Sequence, residues 1–273
     1  MKLIESKVEV IEQQPGLDGI YKQIELAGRT CYRSYDKITE DSAKEFVDRM
    51  IKSKHGAMLE HGTVYLVIPF EDVETRDFYR KNKYSKCRQK SLKDFPEIIN
   101  GFVTTNLRVL VENNRLDDLK YIWEPTEHHE KRITARFTCD RGVSHEIVRH
   151  RVMSFAQESQ RYVGYDKEKF GGEVTFVKPH WYDEEFPACL TWIESLKESE
   201  KKYLELREAG LKPQDARGVL PNATKTEIVV TGFESDWEHF FSLRSPKAGA
   251  QGAHPDIAKL ADELYEKLNS VNK

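Results

Sequence analysis

Residues 149 to 162 read Arg-His-Arg-Val-Met-Ser-Phe-Ala-Gln-Glu-Ser-Gln-Arg-Tyr. Three arginines, a histidine, two serines and two side-chain amides stand within fourteen positions. A guanidinium presents planar paired donors that match two oxygens of a phosphate or carboxylate at once. Ser154 and Ser159 add hydroxyls, and a loop adds backbone N–H groups. The stretch has the chemistry to hold an anionic small molecule. A solvated basic loop or an RNA-binding patch are the other readings of such a cluster.

Three further segments carry candidate groups. His55-Gly56-Ala57-Met58-Leu59-Glu60-His61 places two histidines and a glutamate close together, without the i, i+4 spacing of a helical zinc pair. It also reads as a helix end, His55-Gly56, turning into a strand. Pro213 to Pro221 contains Arg217, and Trp237 to Arg244 combines apolar Trp237, Phe240, Phe241 and Leu243 with a terminal arginine. Upstream of the first cluster, Ser144-His145-Glu146-Ile147-Val148 reads as a helix running to Arg151, with Glu146 and Arg149 three apart on one face.

The elements that must position these groups follow from periodicity. Residues 2–12 alternate as a first strand, and 17–32 carry apolar positions at helical spacing. Asp41 and Ser42 cap a helix running to about Ser53, and residues 64–68 form a strand ending at Pro69. Residues 70–131 read as a polar, irregular insertion on the edge of the core, with a basic stretch from Arg80 to Lys93 and a helical piece near 101–113. Strand 133–139 and helices over 188–209, from Pro213, 235–243 and 257–268 complete the chain. Residues 227–231 fit strand or helix equally. The fold expected is α+β, helices around a central antiparallel or mixed sheet.

The chain has 273 residues, a net charge of −3 and 38% hydrophobic residues. One large domain or two small ones is expected from the length, with a sizeable core, and a dedicated nucleic-acid binder, which needs a positive surplus, is disfavoured. Cys31, Cys87, Cys139 and Cys189 form no CxxC pair, so no metal is expected from them and reduced core thiols in a cytoplasmic protein are. No membrane-length apolar run, leader-like segment, GxGxxG or GxxxxGK occurs.

Arg149-His150-Arg151, seven residues, then Ser159 resembles the RHRx7S signature of the flavin-dependent thymidylate synthases. The His55–His61 segment is similar to that family's His-x-Ser/Thr-x-x-Glu-His element, with Ala57 at the hydroxyl position. Ala216-Arg217-Gly218-Val219-Leu220-Pro221 resembles its Ala-Arg-x-x-Leu-Pro element, and Phe240 to Arg244 its Phe-x-x-Leu-Arg helix end. None of the four cysteines has the Pro-Cys-His context of the cysteine-dependent thymidylate synthases. The resemblance covers about 1–70 and 133–260 and implies a single catalytic domain, 1–273, with a family-variable insertion at about 70–131. It implies a non-Rossmann homotetramer with FAD at a subunit interface.

The implied reaction is C5 methylation of dUMP to dTMP, with methylenetetrahydrofolate as carbon donor and NADPH-reduced FAD as hydride source. Arg244 is then the catalytic group, favouring ionisation of the uracil. Glu146, Arg149, Gln157, Glu158, Ser159, Gln160, Arg161, Arg217 and Arg244 contact dUMP. His55, Ala57, Arg149, His150, Arg151, Gln157 and His239 serve FAD or folate. Glu146 stands where the family usually has glutamine, and Phe233 where many members have asparagine. Two other readings remain open at this level. One is a nucleotide- or RNA-binding relative without catalysis, and the other a metal-dependent hydrolase using His55, His61, His145 and His150.

Overall fold

The computed structural model describes residues 1–92 and 95–270, apart from the side chains of 91–99. Lys93, the end of the expected basic stretch, falls outside the described residues. Nine strands occur among them: β1 (Lys2–Ile4), β2 (Lys7–Ile11), β3 (Thr63–Ile68), β4 (Lys86–Leu92), β5 (Phe95–Asn106), β6 (Arg132–Asp140), β7 (Ser154–Gln157), β8 (Thr175–Val177) and β9 (Lys225–Phe233). The α-helices are α1 (Gly16–Tyr32), α2 (Ser42–Lys52), α3 (Gly56–Leu59), α4 (Val73–Lys81), α5 (Leu107–Glu112), α6 (Arg141–Ile147), α7 (Pro187–Glu208), α8 (Pro213–Ala216), α9 (Glu234–Arg244) and α10 (Pro255–Ser270). None is long and apolar enough to cross a membrane.

Three sheets replace the single central sheet expected. The largest has the order β2-β6-β9-β7, all antiparallel, beside a three-stranded antiparallel sheet β3-β5-β4 and a parallel pair β1-β8. The first strand therefore divides. Lys2–Ile4 pairs with β8 and Lys7–Ile11 with β6, because alternation specifies a face but not a partner. The ambiguous stretch 227–231 is the middle of β9. Val229 packs with Ala156 in the core under α1, while Ile228 and Val230 join Ala135, Phe137 and Cys139 in a second core under α6, α9 and α10. Burial on both faces produces a continuous apolar run instead of alternation, which periodicity cannot assign.

Most described residues of 70–131 lie in regular elements, and the segment is built into the core instead of resting on its edge. β5 is the centre of its sheet, and Val103, Leu107, Val109 and Leu110 join the first core with Leu59, Val64 and Leu66. The helix expected over 101–113 is a strand as far as Asn106, whose side chain then accepts a hydrogen bond from Val109 N at 3.3 Å and opens α5. Strand pairing on both sides outweighs the helical spacing of these residues. In α2, Asp41 precedes the helix without a side-chain capping bond. His55 does not end a helix; it precedes the short α3, whose Met58 and Leu59 enter the core. Three apolar residues expected on buried helix faces are exposed, Leu17 on α1, Leu190 on α7 and Leu243 on α9. The cysteines are all free thiols, with Cys139 and Cys189 buried.

Candidate functional site

Two helices grow directly from the ends of the central antiparallel pair. α6 begins where β6 ends, its N-terminus closed by Asp140, which accepts from Val143 N at 2.8 Å. α9 begins where β9 ends, at the opposite end of the pair, because β6 and β9 are antiparallel. Eleven residues of helix span about 16 Å, so α9 returns along the sheet and delivers Arg244 to the end of α6. There Arg244 Nε donates to His150 Nε2 at 3.1 Å, and its Nη1 is ion-paired with Glu146.

α6 stops at Ile147, so Arg149, His150 and Arg151 do not continue it as expected; they form the turn beyond its end. Glu146 and Arg149 thus do not share one helix face. Leaving the helix lets His150 turn inward, edge-on to the buried Phe240 ring with centroids 4.8 Å apart, and 6.3 Å from the His239 ring. Burial, and then the nearby Arg244 and His239, pushes its imidazole down to about 4. His150 is therefore neutral at pH 7 and accepts the Arg244 hydrogen bond. Arg149, Arg151, Arg161 and Arg217 are exposed. Among the described residues they form no ion pair with a carboxylate.

Other expected groups are used internally. Gln157 Nε2 donates to Ser144 Oγ at 2.8 Å, tying β7 to α6. Glu158, expected at a nucleotide, is buried and paired with Lys225 at 2.8 Å; Lys225 also meets Glu227 at 2.6 Å, and Tyr35 OH donates to Glu227 at 2.8 Å. Burial raises the Glu158 carboxyl against the pull of Lys225. The Gln160 side chain is buried too. Ser159 holds its loop in place, its N–H donating to Cys31 O at 2.9 Å and its Oγ accepting from Arg161 N at 3.3 Å. No hydrogen bond or ion pair joins Arg217, on the turn Arg217–Val219 after α8, to the Arg149–Arg151 turn. His55, just before α3, and Ala57, on α3, are exposed, and α3 packs against β7.

The sequence reading missed Lys225, Glu227, His61 as a core residue, and Arg132. Lys225 and Glu227, two apart, do share a strand face, a signal visible once β9 is a strand. His61 is fully buried beside Thr231 Oγ1 at 2.9 Å, and burial, with Arg132 close by, pushes it down to about 3. His55, His61, His145 and His150 form no metal-binding group among the described residues. The hydrolase arrangement is not assembled, because His61 is spent in the core while His55 and His145 face solvent.

A cavity of about 870 Å³ opens elsewhere, lined among others by Pro15, Tyr65, Trp123, Arg132, Trp237 and Phe241. It includes none of Glu146, His150 and Arg244. The α6–α9 junction is singled out by its charge instead, because Arg244 is hydrogen-bonded to the turn that also carries exposed Arg149 and Arg151.

Residues 120–272 match the model of the thymidylate synthase complementing protein family. The flavin-dependent thymidylate synthase of Pyrococcus furiosus is 39% identical over 130 residues, 48% of this chain and 51% of that protein. The Mycobacterium tuberculosis flavin-dependent thymidylate synthase is 36% identical over 140 residues, 48% and 54% of the two chains. The chain thus spans about half the length of the curated relatives it matches. A crystal structure of a UMP/dUMP methylase, PolB from Streptomyces cacaoi bound with 5-Br dUMP, aligns over 99% of this chain and 93% of the other, with 17% identity and a TM-score of 0.48. The family match extends over more than half of the chain and takes in Glu146, the Arg149–Ser159 motif, Arg217 and Arg244, so the chain belongs to the thymidylate synthase complementing protein family.

Proposed function

We propose that this protein is a flavin-dependent thymidylate synthase that converts dUMP to dTMP with methylenetetrahydrofolate and NADPH. The observation carrying this reading is the meeting of Arg244 with Glu146 and His150. Segments 98 residues apart in sequence, singled out separately, adjoin one another in the fold. The identity with enzymes named flavin-dependent thymidylate synthases supports the same reading.

Arg244 donates to the uracil edge and stabilises negative charge developing on the ring, an electrostatic role. Neutral His150 orients its guanidinium through Nε. Glu146 accepts from a second arm, leaving the remaining donors for the substrate. Arg149, Ser159, Arg161 and Arg217 hold the phosphate, a dianion that needs no metal when cations are free to meet it. Glu158 and Gln160 shape this loop from beneath, and Gln157 fixes it to α6.

The donor set suits FAD: exposed Arg149, Arg151, His55 and His239 offer cationic and aromatic surface to a pyrophosphate and a flavin. When bound, FAD supplies the hydride chemistry. Each of these groups is exposed in the single subunit, so enclosure of the cofactor is assigned to other subunits, in keeping with a homotetramer. The whole chain serves as one catalytic unit, with 70–131 built into its first core. The test is the visible spectrum of the purified protein with an assay of dUMP-dependent NADPH oxidation and dTMP formation. A colourless protein that binds dUMP and forms no dTMP when supplied with FAD would overturn the reading.

A further inference from the structure

The loop following β8 carries His180, and the entry to α10 carries His254 and Asp256. One donor atom from each lies within 4.8 Å of the others, although His180 and Asp256 are 76 residues apart in sequence. The arrangement is already held in place. Asp256 Oδ1 accepts from the His180 backbone N–H at 2.6 Å and stands 3.2 Å from the ring Nδ1. Its Oδ2 is 3.7 Å from His254 Nδ1. The two rings meet edge to face with centroids 5.5 Å apart. Asp256 is largely covered, whereas both histidines are open to solvent, at 38% and 53% side-chain exposure.

Two imidazoles and a carboxylate form a borderline donor set. It suits Zn²⁺, while Mg²⁺ and Ca²⁺ prefer oxygen ligands. Zinc bonds of about 2.0–2.2 Å in a tetrahedron put donor atoms about 3.4 Å apart. The three groups must therefore close by roughly an ångström, which rotation of exposed rings allows.

We propose that His180, His254 and Asp256 form a zinc-binding site, open to water at one position, which clips the loop after β8 to the start of α10. None of the three belongs to the nucleotide site proposed above, so this inference stands or falls separately.

The test uses the full chain without an affinity tag, stripped with EDTA and titrated with zinc chloride by calorimetry. Co²⁺ absorption reports the coordination. One equivalent of zinc should bind and raise the thermal midpoint. His180→Ala and His254→Ala should each weaken binding by at least about tenfold. The double variant should show neither the Co²⁺ ligand-field bands nor the zinc-dependent rise, while its midpoint in EDTA stays at the parental value. That last measurement shows that the variant still folds. Failure of the parent to take up zinc, or parental affinity in the double variant, would overturn the proposal.

Discussion

At the residue scale the decisive group is Arg244, with one arm on Glu146 and Nε on His150. A charge-assisted hydrogen bond contributes about 1.5–3 kcal/mol, equivalent to about ten- to a hundredfold in rate. Arg244→Ala should lower dTMP formation by at least that factor, with an unchanged circular dichroism spectrum. Arg244→Lys should restore only part, since a point charge cannot replace a planar fork. Parental turnover in Arg244→Ala would move the active site elsewhere. The depressed histidines make a second prediction. His61 and His150 are held near 3 and 4 by burial, while in the unfolded chain they take up protons near 6.5. Their contribution to stability is therefore complete above about pH 6.5 and is lost as the pH drops towards 4, by at most about 1.4 kcal/mol per pH unit for each group. Between pH 6.5 and 5 each costs up to about 2 kcal/mol. Urea unfolding at pH 7 and pH 5 measures the loss, and His150→Gln should reduce it by about half; equal stabilities at the two pH values would contradict the assignment.

Elements matter because they aim these side chains. Asp140 both ends β6 and caps α6, which carries Glu146. Asp140→Ala should cost about 1 kcal/mol of stability through loss of the cap. It should also raise the KM for dUMP more than it lowers kcat, because it loosens the turn to which the proposed function assigns the nucleotide. A KM at the parental value would show that the turn is positioned without the cap. The packing of α1 on α2 is equally exacting. A Cβ on Gly28 would lie 2.3 Å from Cζ of the buried Phe46 ring. Gly28→Ala therefore overpacks the first core and should destabilise by about 1–3 kcal/mol, measured as a lower urea midpoint. An unchanged midpoint would mean that the ring shifts freely.

On the scale of the whole molecule, Arg149, Arg151, Arg161 and Arg217 are exposed on the subunit surface, and none of them lines the 870 Å³ cavity. The proposed function has neighbouring subunits complete the nucleotide and flavin site, in the four-chain assembly that the family resemblance implies. Light scattering should give about four times the 31.8 kDa subunit mass, with FAD retained only in the assembled fraction. A monomer holding stoichiometric FAD would be incompatible with this.

The sequence by itself determined the motif groups and most helices. Arg149 to Ser159, Arg217 and Arg244 are recognisable by order and spacing, and α1, α9 and α10 by apolar positions at helical spacing, because both signals are local. Only tertiary structure decided the rest. Strand pairing turned 101–106 from an expected helix into the centre of a sheet, and burial on both faces settled β9 as a strand. Glu158 became a buried partner of Lys225 because the strand beside it places that ammonium within reach. The contact of Arg244 with Glu146 and His150 follows from two helices leaving opposite ends of one antiparallel pair, and partner choice between strands is non-local. No spacing within a single segment encodes it.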